Sequence, residues 1–137
     1  FALAASALEL APDVPELWIA LARHCVYERA AIEREADPSA RRHWVQAAFD
    51  ALERGAPTAD ARGALSLERG NLLAYLALVA ALPEVPESEQ PWPGRPSALF
   101  EDAARAYDRA AALGDLEAAD LARGTRERAA EARARDE

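Results

Sequence analysis

Hydrophobic positions recur along the chain at the spacing of amphipathic helices, and short polar or proline-containing breaks separate them. A first helix is predicted over residues 1–10, where Leu3, Ala7 and Leu10 share one face. Ala11-Pro12-Asp13 interrupts it. A second helix is predicted from Pro15 to about Ala36, because proline is tolerated in a first helical turn. The residues expected on one stripe of this helix are Leu17, Leu21, His24/Cys25, Glu28 and Ala31/Ile32.

Two further helices are predicted in the middle of the chain. Asp37 is expected to cap the first, with Pro38 at its first helical position. It should end at Arg54, with Gly55 in a left-handed turn. The next should start near Thr58, be kinked or split at Gly70-Asn71 and end at Pro83. Their expected apolar positions are Trp44, Val45, Ala48, Phe49, Ala51 and Leu52, then Ala61, Leu65, Leu72, Leu76 and Val79.

A proline-rich segment, residues 83–96, separates these helices from the last two. Its five prolines exclude a regular helix, and we expect an ordered surface loop or a polyproline-like connector. Ser97 is expected to cap a fifth helix, and Gly114-Asp115 to end it and cap a sixth. The expected apolar positions are Leu99/Phe100, Ala103, Tyr107 and Ala110, then Leu116, Ala119 and Leu121/Ala122. The sixth helix, about residues 116–135, becomes so rich in Arg and Glu that we expect it to be solvated and fraying.

Composition supports an all-α fold. Alanine makes up about a quarter of the chain, whereas Val, Ile and Thr together occur only nine times. Alanine loses no side-chain entropy in a helix, and a strand needs branched or aromatic side chains to cover its pleated face. The 137 residues suit a single domain.

Net charge and apolar run length exclude two classes of partner. The formal net charge is −8 and the pI is about 4.8, which argues against nucleic acid because phosphate binding needs clustered positive charge. The longest apolar run, Leu72–Leu82, is too short to span a bilayer. A single cysteine forbids an intrachain disulfide and leaves the compartment open, with the cytoplasm slightly favoured.

The chain contains no recognisable catalytic motif. His24, Cys25 and His43 are the candidate soft or imidazole ligands, but neighbouring helical residues such as His24 and Cys25 point about 100° apart. The serines lie in no nucleophile motif, and the glycines match no phosphate-binding fingerprint. We therefore expect no catalytic residue, no metal, no cofactor and no enzyme activity.

Three segments share a pattern of helix end, tight turn and new helix with small and apolar residues. They are AASALELAPDVPELWIALA, AAFDALERGAPTADARGAL and ARAYDRAAALGDLEAADLA, which start at Ala4, Ala47 and Ala104. Such recurrence is typical of a helical solenoid. The small residues Ala7, Ala22, Ala51, Ala103 and Ala110 would let helices approach closely, while Trp18, Trp44, Phe49 and Tyr107 fill the adjacent spaces.

These residues resemble two related repeat families. Ala7, Leu10 and Pro12, followed by Trp18, Leu21 and Ala22, resemble the junction between two tetratricopeptide repeats, and Ala103, Tyr107 and Ala110 match the triad on the second helix of such a repeat. Ala110-Ala111, Leu113-Gly114-Asp115 and Glu117-Ala118 resemble the Sel-one-like repeat. The resemblance implies a short right-handed α-solenoid of antiparallel helix hairpins, with about six helices and a proline-rich inter-helix loop.

The resemblance also implies a function and a binding face. Tetratricopeptide-like repeats hold an extended peptide or a partner helix on the inner face of the solenoid. The positions of the inner face in these repeats correspond here to Glu16, Arg23 and Tyr27, with Asn71 and Arg123 as weaker candidates. Trp92, within Pro91-Trp92-Pro93, can dock in a partner's aromatic groove or fold back over its own helices.

Two readings of the function remain open at this point, and a third is less favoured. The first is a non-catalytic interaction module, or scaffold, that binds a protein or peptide partner. The second is a structural or regulatory segment of a larger chain, because the sequence lacks an initiator methionine and its last helix is not sealed by a polar cap. On this view residues 1–137 form one helical-repeat domain within a longer protein. The third is a helical-bundle enzyme, which would need a cofactor. The oligomeric state is left open.

Overall fold

The computed structural model describes residues 10–31 and 33–136, and every regular element within these ranges is helical. The elements are α1 (Pro15–Arg23), a π-helical turn that continues it (His24–Arg29), α2 (Pro38–Ala59), α3 (Ala64–Ala80), α4 (Pro96–Ala112) and α5 (Ala118–Asp136). A short 3₁₀ turn covers Glu87–Glu89. The all-α prediction is confirmed, with five helices in the described residues. The helix predicted over residues 1–10 lies outside them, except for Leu10.

Each helix packs against its neighbour in sequence, and α1 also contacts α3. The most extensive contacts join α3 to α4 and α4 to α5. One continuous core runs through all five helices and is built from large side chains interleaved with alanines. Its large members include Trp18, Val26, Val45, Phe49, Leu52, Leu65, Leu72, Leu76, Leu99, Phe100 and Tyr107.

Helix α1 buries a different stripe from the predicted one. Trp18, Ala22, Cys25 and Val26 are buried, whereas Leu17 and Leu21 are half-buried and Glu28 is exposed. The shift of one position is already present at Trp18, before the π-helical turn that continues α1. The Ala30 N–H donates to the Cys25 carbonyl, five residues earlier, at 3.0 Å. The helix ends at Arg29, so its predicted end near Ala36 was wrong, and Ile32 lies outside the described residues.

Helix α2 starts as predicted and ends later. The Asp37 carboxylate accepts a hydrogen bond from the Ser39 N–H, and Pro38 occupies the first turn. The helix continues past Gly55 and Pro57 to Ala59, so the predicted end at Arg54 was wrong. Gly55 lies inside the helix because the Trp18 ring packs on it; a Cβ there would lie 2.6 Å from that ring. Close approach of two helices explains this glycine.

The next helix starts at Ala64, not near Thr58, and the left-handed glycine before it is Gly63, with φ of 82°. The Asp60 carboxylate caps α3 by accepting from the N–H groups of Leu65 and Ser66 at 2.8 and 3.2 Å. The predicted break at Gly70-Asn71 was wrong, since α3 is continuous to Ala80. The Tyr107 ring covers Gly70, where a Cβ would lie 2.6 Å from it.

Two arginines of α2 form hydrogen bonds with the proline-rich segment. The Arg41 guanidinium, 2 % exposed, donates to the carbonyls of Glu35 and Glu89 at 2.9 and 2.8 Å. Arg42 donates to the Gln90 carbonyl at 3.3 Å. These hydrogen bonds satisfy loop carbonyls and hold the segment as an ordered loop, which is the first of the two predicted forms.

Helix α4 buries the predicted face, with Leu99, Phe100, Ala103, Tyr107 and Ala110 all in the core. Its predicted cap was wrong, because Arg95 occupies the N-cap position without a side-chain bond. The Ser97 hydroxyl instead donates to the carboxylate of Asp136 at 2.8 Å.

Helix α5 has one buried face, and of the predicted apolar positions only Ala122 lies on it. Asp115 caps the helix as predicted, accepting from the N–H groups of Glu117 and Ala118 at 3.0 Å. However, Leu116 is 95 % exposed and Leu121 39 % exposed, and Ala119 also faces solvent. The side chains that face the core are small, because α5 packs closely on α4: Ala118, Ala122, Thr125, Ala129 and Ala132.

Candidate functional site

A cluster of polar and aromatic side chains covers the contact between α1 with its π-turn and α3. We call it the α1–α3 face and define it by Arg23, Tyr27, Glu68, Asn71 and Tyr75. Arg23, Tyr27 and Asn71 are three of the six side chains selected from the sequence. Helical spacing places Glu68, Asn71 and Tyr75 on one side of α3, where they can meet α1.

An ion pair joins the two helices at this face. The Arg23 guanidinium donates to both carboxylate oxygens of Glu68, from Nε at 2.8 Å and from Nη2 at 2.9 Å. The Glu68 side chain is 3 % exposed, whereas that of Arg23 is 56 % exposed. Hydrogen bonding to Glu68, together with its charge, raises the pKa of Arg23. Bidentate geometry fixes the orientation of the arginine, so one side of its guanidinium is presented to solvent in a defined position.

Two tyrosines lie beside the ion pair. The rings of Tyr27 and Tyr75 meet edge to face with centroids 4.9 Å apart. Tyr27 is 38 % exposed and Tyr75 is half-buried. Burial is the main cause that raises the pKa of both phenols, and the nearby Glu68 charge adds to the effect at Tyr27. Both phenols therefore stay neutral at physiological pH and can donate a hydrogen bond.

Tyr107 of α4 contacts the α1–α3 face through Asn71. Its hydroxyl donates to Oδ1 of Asn71 at 2.7 Å, which fixes the orientation of the Asn71 amide. Burial, then the negative charge of Glu68, raises the pKa of Tyr107 to about 12. The Asn71 side chain is half-buried.

The structure does not bring the other predicted residues into this cluster. Glu16 is exposed in the first turn of α1. Arg123 is exposed on α5 and pairs with Asp120 of its own helix at 3.0 Å. Trp92 packs against Phe49 of α2 with ring centroids 5.2 Å apart, and is half-buried there. It therefore folds back over its own helices.

Sequence reasoning missed Glu68 and Tyr75 as members of this face. Their three- and four-residue spacing from Asn71 was an available signal, since residues at that spacing share one side of a helix. No local pattern predicted that the Glu68 carboxylate is buried, because its burial depends on the position of α1.

The one cysteine, a candidate soft ligand in the sequence, lies away from solvent. Cys25 is 1 % exposed, and burial raises the pKa of its thiol while the Arg29 charge opposes the shift. Within residues 10–31 and 33–136, no group of three or more His, Cys, Asp or Glu side chains is placed to hold a metal ion. No helix in the same ranges is long and apolar enough to cross a bilayer.

Comparisons of the chain with protein-family models, with curated proteins and with solved structures gave no match. The geometry of the faces and grooves therefore carries the functional argument.

Proposed function

We propose that this chain is a non-catalytic protein-interaction module that holds a partner peptide or helix on its α1–α3 face. The observation that carries the proposal is the half-exposed Tyr27–Tyr75 pair beside an arginine oriented by a buried glutamate. Tyrosine and arginine contribute large, rigid contacts at protein interfaces and are enriched among the residues that dominate binding energy.

A short α-solenoid of stacked helix hairpins is the arrangement we propose for the helices. Contacts between consecutive helices, with an added contact between α1 and α3, support it. In such a stack α1 and α3 would be the first helices of successive hairpins and would line the inner face. The resemblance to tetratricopeptide-like and Sel-one-like repeats agrees with this order.

The proposed partner is a protein segment that offers hydrogen-bond acceptors and at least one apolar side chain. The Arg23 guanidinium has one edge that does not contact Glu68, and the tyrosine phenols remain protonated. The face therefore presents hydrogen-bond donors. The Tyr27 ring supplies apolar area. These side chains are already held in place by contacts within the protein, so ordering them on binding costs little entropy.

Site-specific photo-crosslinking tests the proposal. Benzoylphenylalanine in place of Tyr27 should capture a defined protein from a lysate of the organism that encodes the chain. The matched control carries the same crosslinker at Arg54, an exposed position of α2. The captured partner, once purified, should bind Tyr27→Ala at least about tenfold more weakly than the unmodified protein.

Charge reversal provides a second readout. Glu16→Arg reverses a charge on α1 about two helical turns before Arg23, and Asp50→Arg makes the same change on exposed α2. Partner affinity should respond to Glu16→Arg and not to Asp50→Arg. Equal capture by both crosslinker positions, or unchanged affinity in Tyr27→Ala, would overturn the proposal.

A structural or regulatory segment of a larger assembly is the second candidate, and exposed leucines favour it. Leu116, in the turn before α5, is 95 % exposed, and Leu121, in the first turn of α5, is 39 % exposed, so neither fills the core. Burying a large exposed apolar side chain against another protein element lowers the free energy. Leu116→Ser should then abolish association with the covering element while leaving the melting temperature of the isolated chain unchanged.

A further inference from the structure

A second surface, distinct from the α1–α3 face, lies among α2, α3, α4 and the proline-rich loop. It is a groove of about 580 Å³, within the size range of ligand-binding clefts. Its apolar wall includes Phe49, Leu73 and Ala106, and Trp92 closes one part of it. A neighbouring cleft of about 350 Å³ shares Glu53, Arg69 and Arg109 with it, so the two form one continuous depression that we call the arginine groove.

Arginine side chains from two facing helices line this groove. Arg69 of α3 lies over the ring of Phe49, 4.9 Å from its centroid, which orients its guanidinium. Arg105 and Arg109 lie one turn apart on α4. Arg105 is ion-paired with Asp102. Within residues 10–31 and 33–136, neither Arg69 nor Arg109 has a carboxylate partner at ion-pair distance.

The charge at this groove differs from that of the whole protein. The chain carries a net charge of −8, whereas the two clefts together are lined by three arginines and by three carboxylates, those of Glu53, Asp60 and Asp102. Asp102 is ion-paired with Arg105, and Asp60 accepts hydrogen bonds from the N–H groups of Leu65 and Ser66. Arg69 and Arg109 are therefore available to an incoming anion, with Glu53 as the one remaining carboxylate.

We infer that the arginine groove binds an acidic peptide segment in which carboxylate side chains alternate with apolar ones. A carboxylate would bridge Arg69 and Arg109, whose planar donor groups match its geometry. A neighbouring apolar side chain would lie against Trp92 and Phe49. Because the depression continues through both clefts, an extended peptide fits its length better than a compact small molecule does.

Fluorescence anisotropy with a synthetic probe tests this site. The probe is a short fluorescein-labelled peptide in which glutamates alternate with phenylalanine and leucine. The matched peptide has glutamine in place of every glutamate. The glutamate peptide should bind the 137-residue chain, and its affinity should fall at least about tenfold in the double variant Arg69→Gln, Arg109→Gln. The glutamine peptide should bind at least about tenfold more weakly than the glutamate peptide.

Two control variants separate this site from general charge effects and from the α1–α3 face. Arg135→Gln removes an exposed arginine of α5 that lines neither cleft, and Tyr27→Ala alters the other face. Both should bind the glutamate peptide like the unmodified protein. Trp92→Ala should weaken binding, whereas Trp92→Phe should retain most of it.

Three results would overturn the assignment: no binding of the glutamate peptide, equal binding of both peptides, or equal weakening by Arg135→Gln and the double variant. Because Arg69 and Arg109 are exposed, both substitutions should preserve the folded circular dichroism spectrum, and Arg69→Gln should lower the melting temperature only slightly through loss of its contact with Phe49. The site does not depend on the proposed function of the α1–α3 face, since Tyr27→Ala distinguishes the two.

Discussion

Two glycines in helix interiors show how single residues permit the helices of this protein to approach one another. Gly55 in α2 lies under the ring of Trp18, and Gly70 in α3 lies under the ring of Tyr107. Glycine in a helix normally costs about 1 kcal/mol relative to alanine. Here the cost is offset because an aromatic ring packs directly on the backbone.

Alanine at Gly55 should destabilise the protein although alanine favours helices. Its Cβ would lie 2.6 Å from the Trp18 ring, so we expect a loss of about 1–3 kcal/mol in the free energy of unfolding. Gly124→Ala is the matched control, because nothing lies within 4 Å of a Cβ there, and it should gain about 0.5–1 kcal/mol. Urea unfolding measures both. A stabilising Gly55→Ala would contradict the close packing described here.

Trp18 should make one of the largest single contributions to stability. It is 6 % exposed, and its indole N–H donates to the Pro12 carbonyl at 2.8 Å. Trp18→Ala removes both contacts and leaves a cavity, so we expect a loss of about 3–5 kcal/mol in urea unfolding. Trp44→Ala, at a half-buried position, should cost clearly less. A loss below about 1 kcal/mol for Trp18→Ala would refute its place in the core.

Among the contacts between elements, the Arg23–Glu68 pair connects α1 to α3 through a buried carboxylate. Arg23→Ala should destabilise the fold by about 1–2 kcal/mol, because it leaves the Glu68 carboxylate buried without its partner. This loss of stability is smaller than the loss for a fully buried ion pair, because water reaches the half-exposed Arg23 side chain. Chemical unfolding of the purified variant gives the number.

Two further variants isolate the cause. Arg123→Ala breaks an exposed pair with Asp120 and should change stability by no more than about 0.5 kcal/mol. Adding Glu68→Gln to Arg23→Ala removes the unpaired charge and should restore part of the loss. If the double variant were no more stable than Arg23→Ala, the buried charge would not be the cause.

Helix α5 packs through alanines, and paired substitutions test this contact. Ala129 is 2 % exposed and Ala130 is exposed. Ala129→Glu should cost about 2–4 kcal/mol, because it places a charge and excess volume against α4. Ala130→Glu should stay within about 0.5 kcal/mol of the unmodified protein in thermal or urea unfolding. Equal effects would indicate that α5 is solvated on all sides.

For the molecule as a whole, tyrosine ionisation should set the alkaline limit of stability. The pKa of Tyr107 is raised to about 12 in the folded protein, whereas an unfolded tyrosine has its ordinary value of 10.0. Between these values the folded state holds a proton that the unfolded state has lost, so stability falls as pH rises from about 10 to about 12. Below pH 10 this contribution is constant.

Unfolding free energy measured across that range checks the prediction. Tyr107→Phe cannot ionise and should lose less stability between pH 10 and pH 12 than the unmodified protein does. Its stability at pH 7 should be lower, because the hydrogen bond to Asn71 is lost. An identical alkaline slope in both proteins would exclude Tyr107 as the cause.

Helical class and several element boundaries follow from local chemistry. Alanine content favours helix, Asp37 and Asp115 cap helices through their own neighbouring N–H groups, and prolines exclude a helix between residues 83 and 96. The buried face of α4 was also predictable, because its large side chains recur at regular helical spacing. Each of these signals depends on residues a few positions apart, so no knowledge of the fold is needed.

The remaining features depend on which helices become neighbours. Gly55 and Gly70 lie inside helices because aromatic rings from other helices cover them. The sequence alone does not distinguish such a glycine from one that ends a helix. Small side chains of α5 face the core, whereas Leu116 and Leu121 do not. The helices α4 and α5 lie so close together that only small side chains fit between them. The same holds for the candidate sites: Arg23 meets Glu68 across 45 residues, and Arg69 meets Arg109 across a groove, since only packing brings distant residues together.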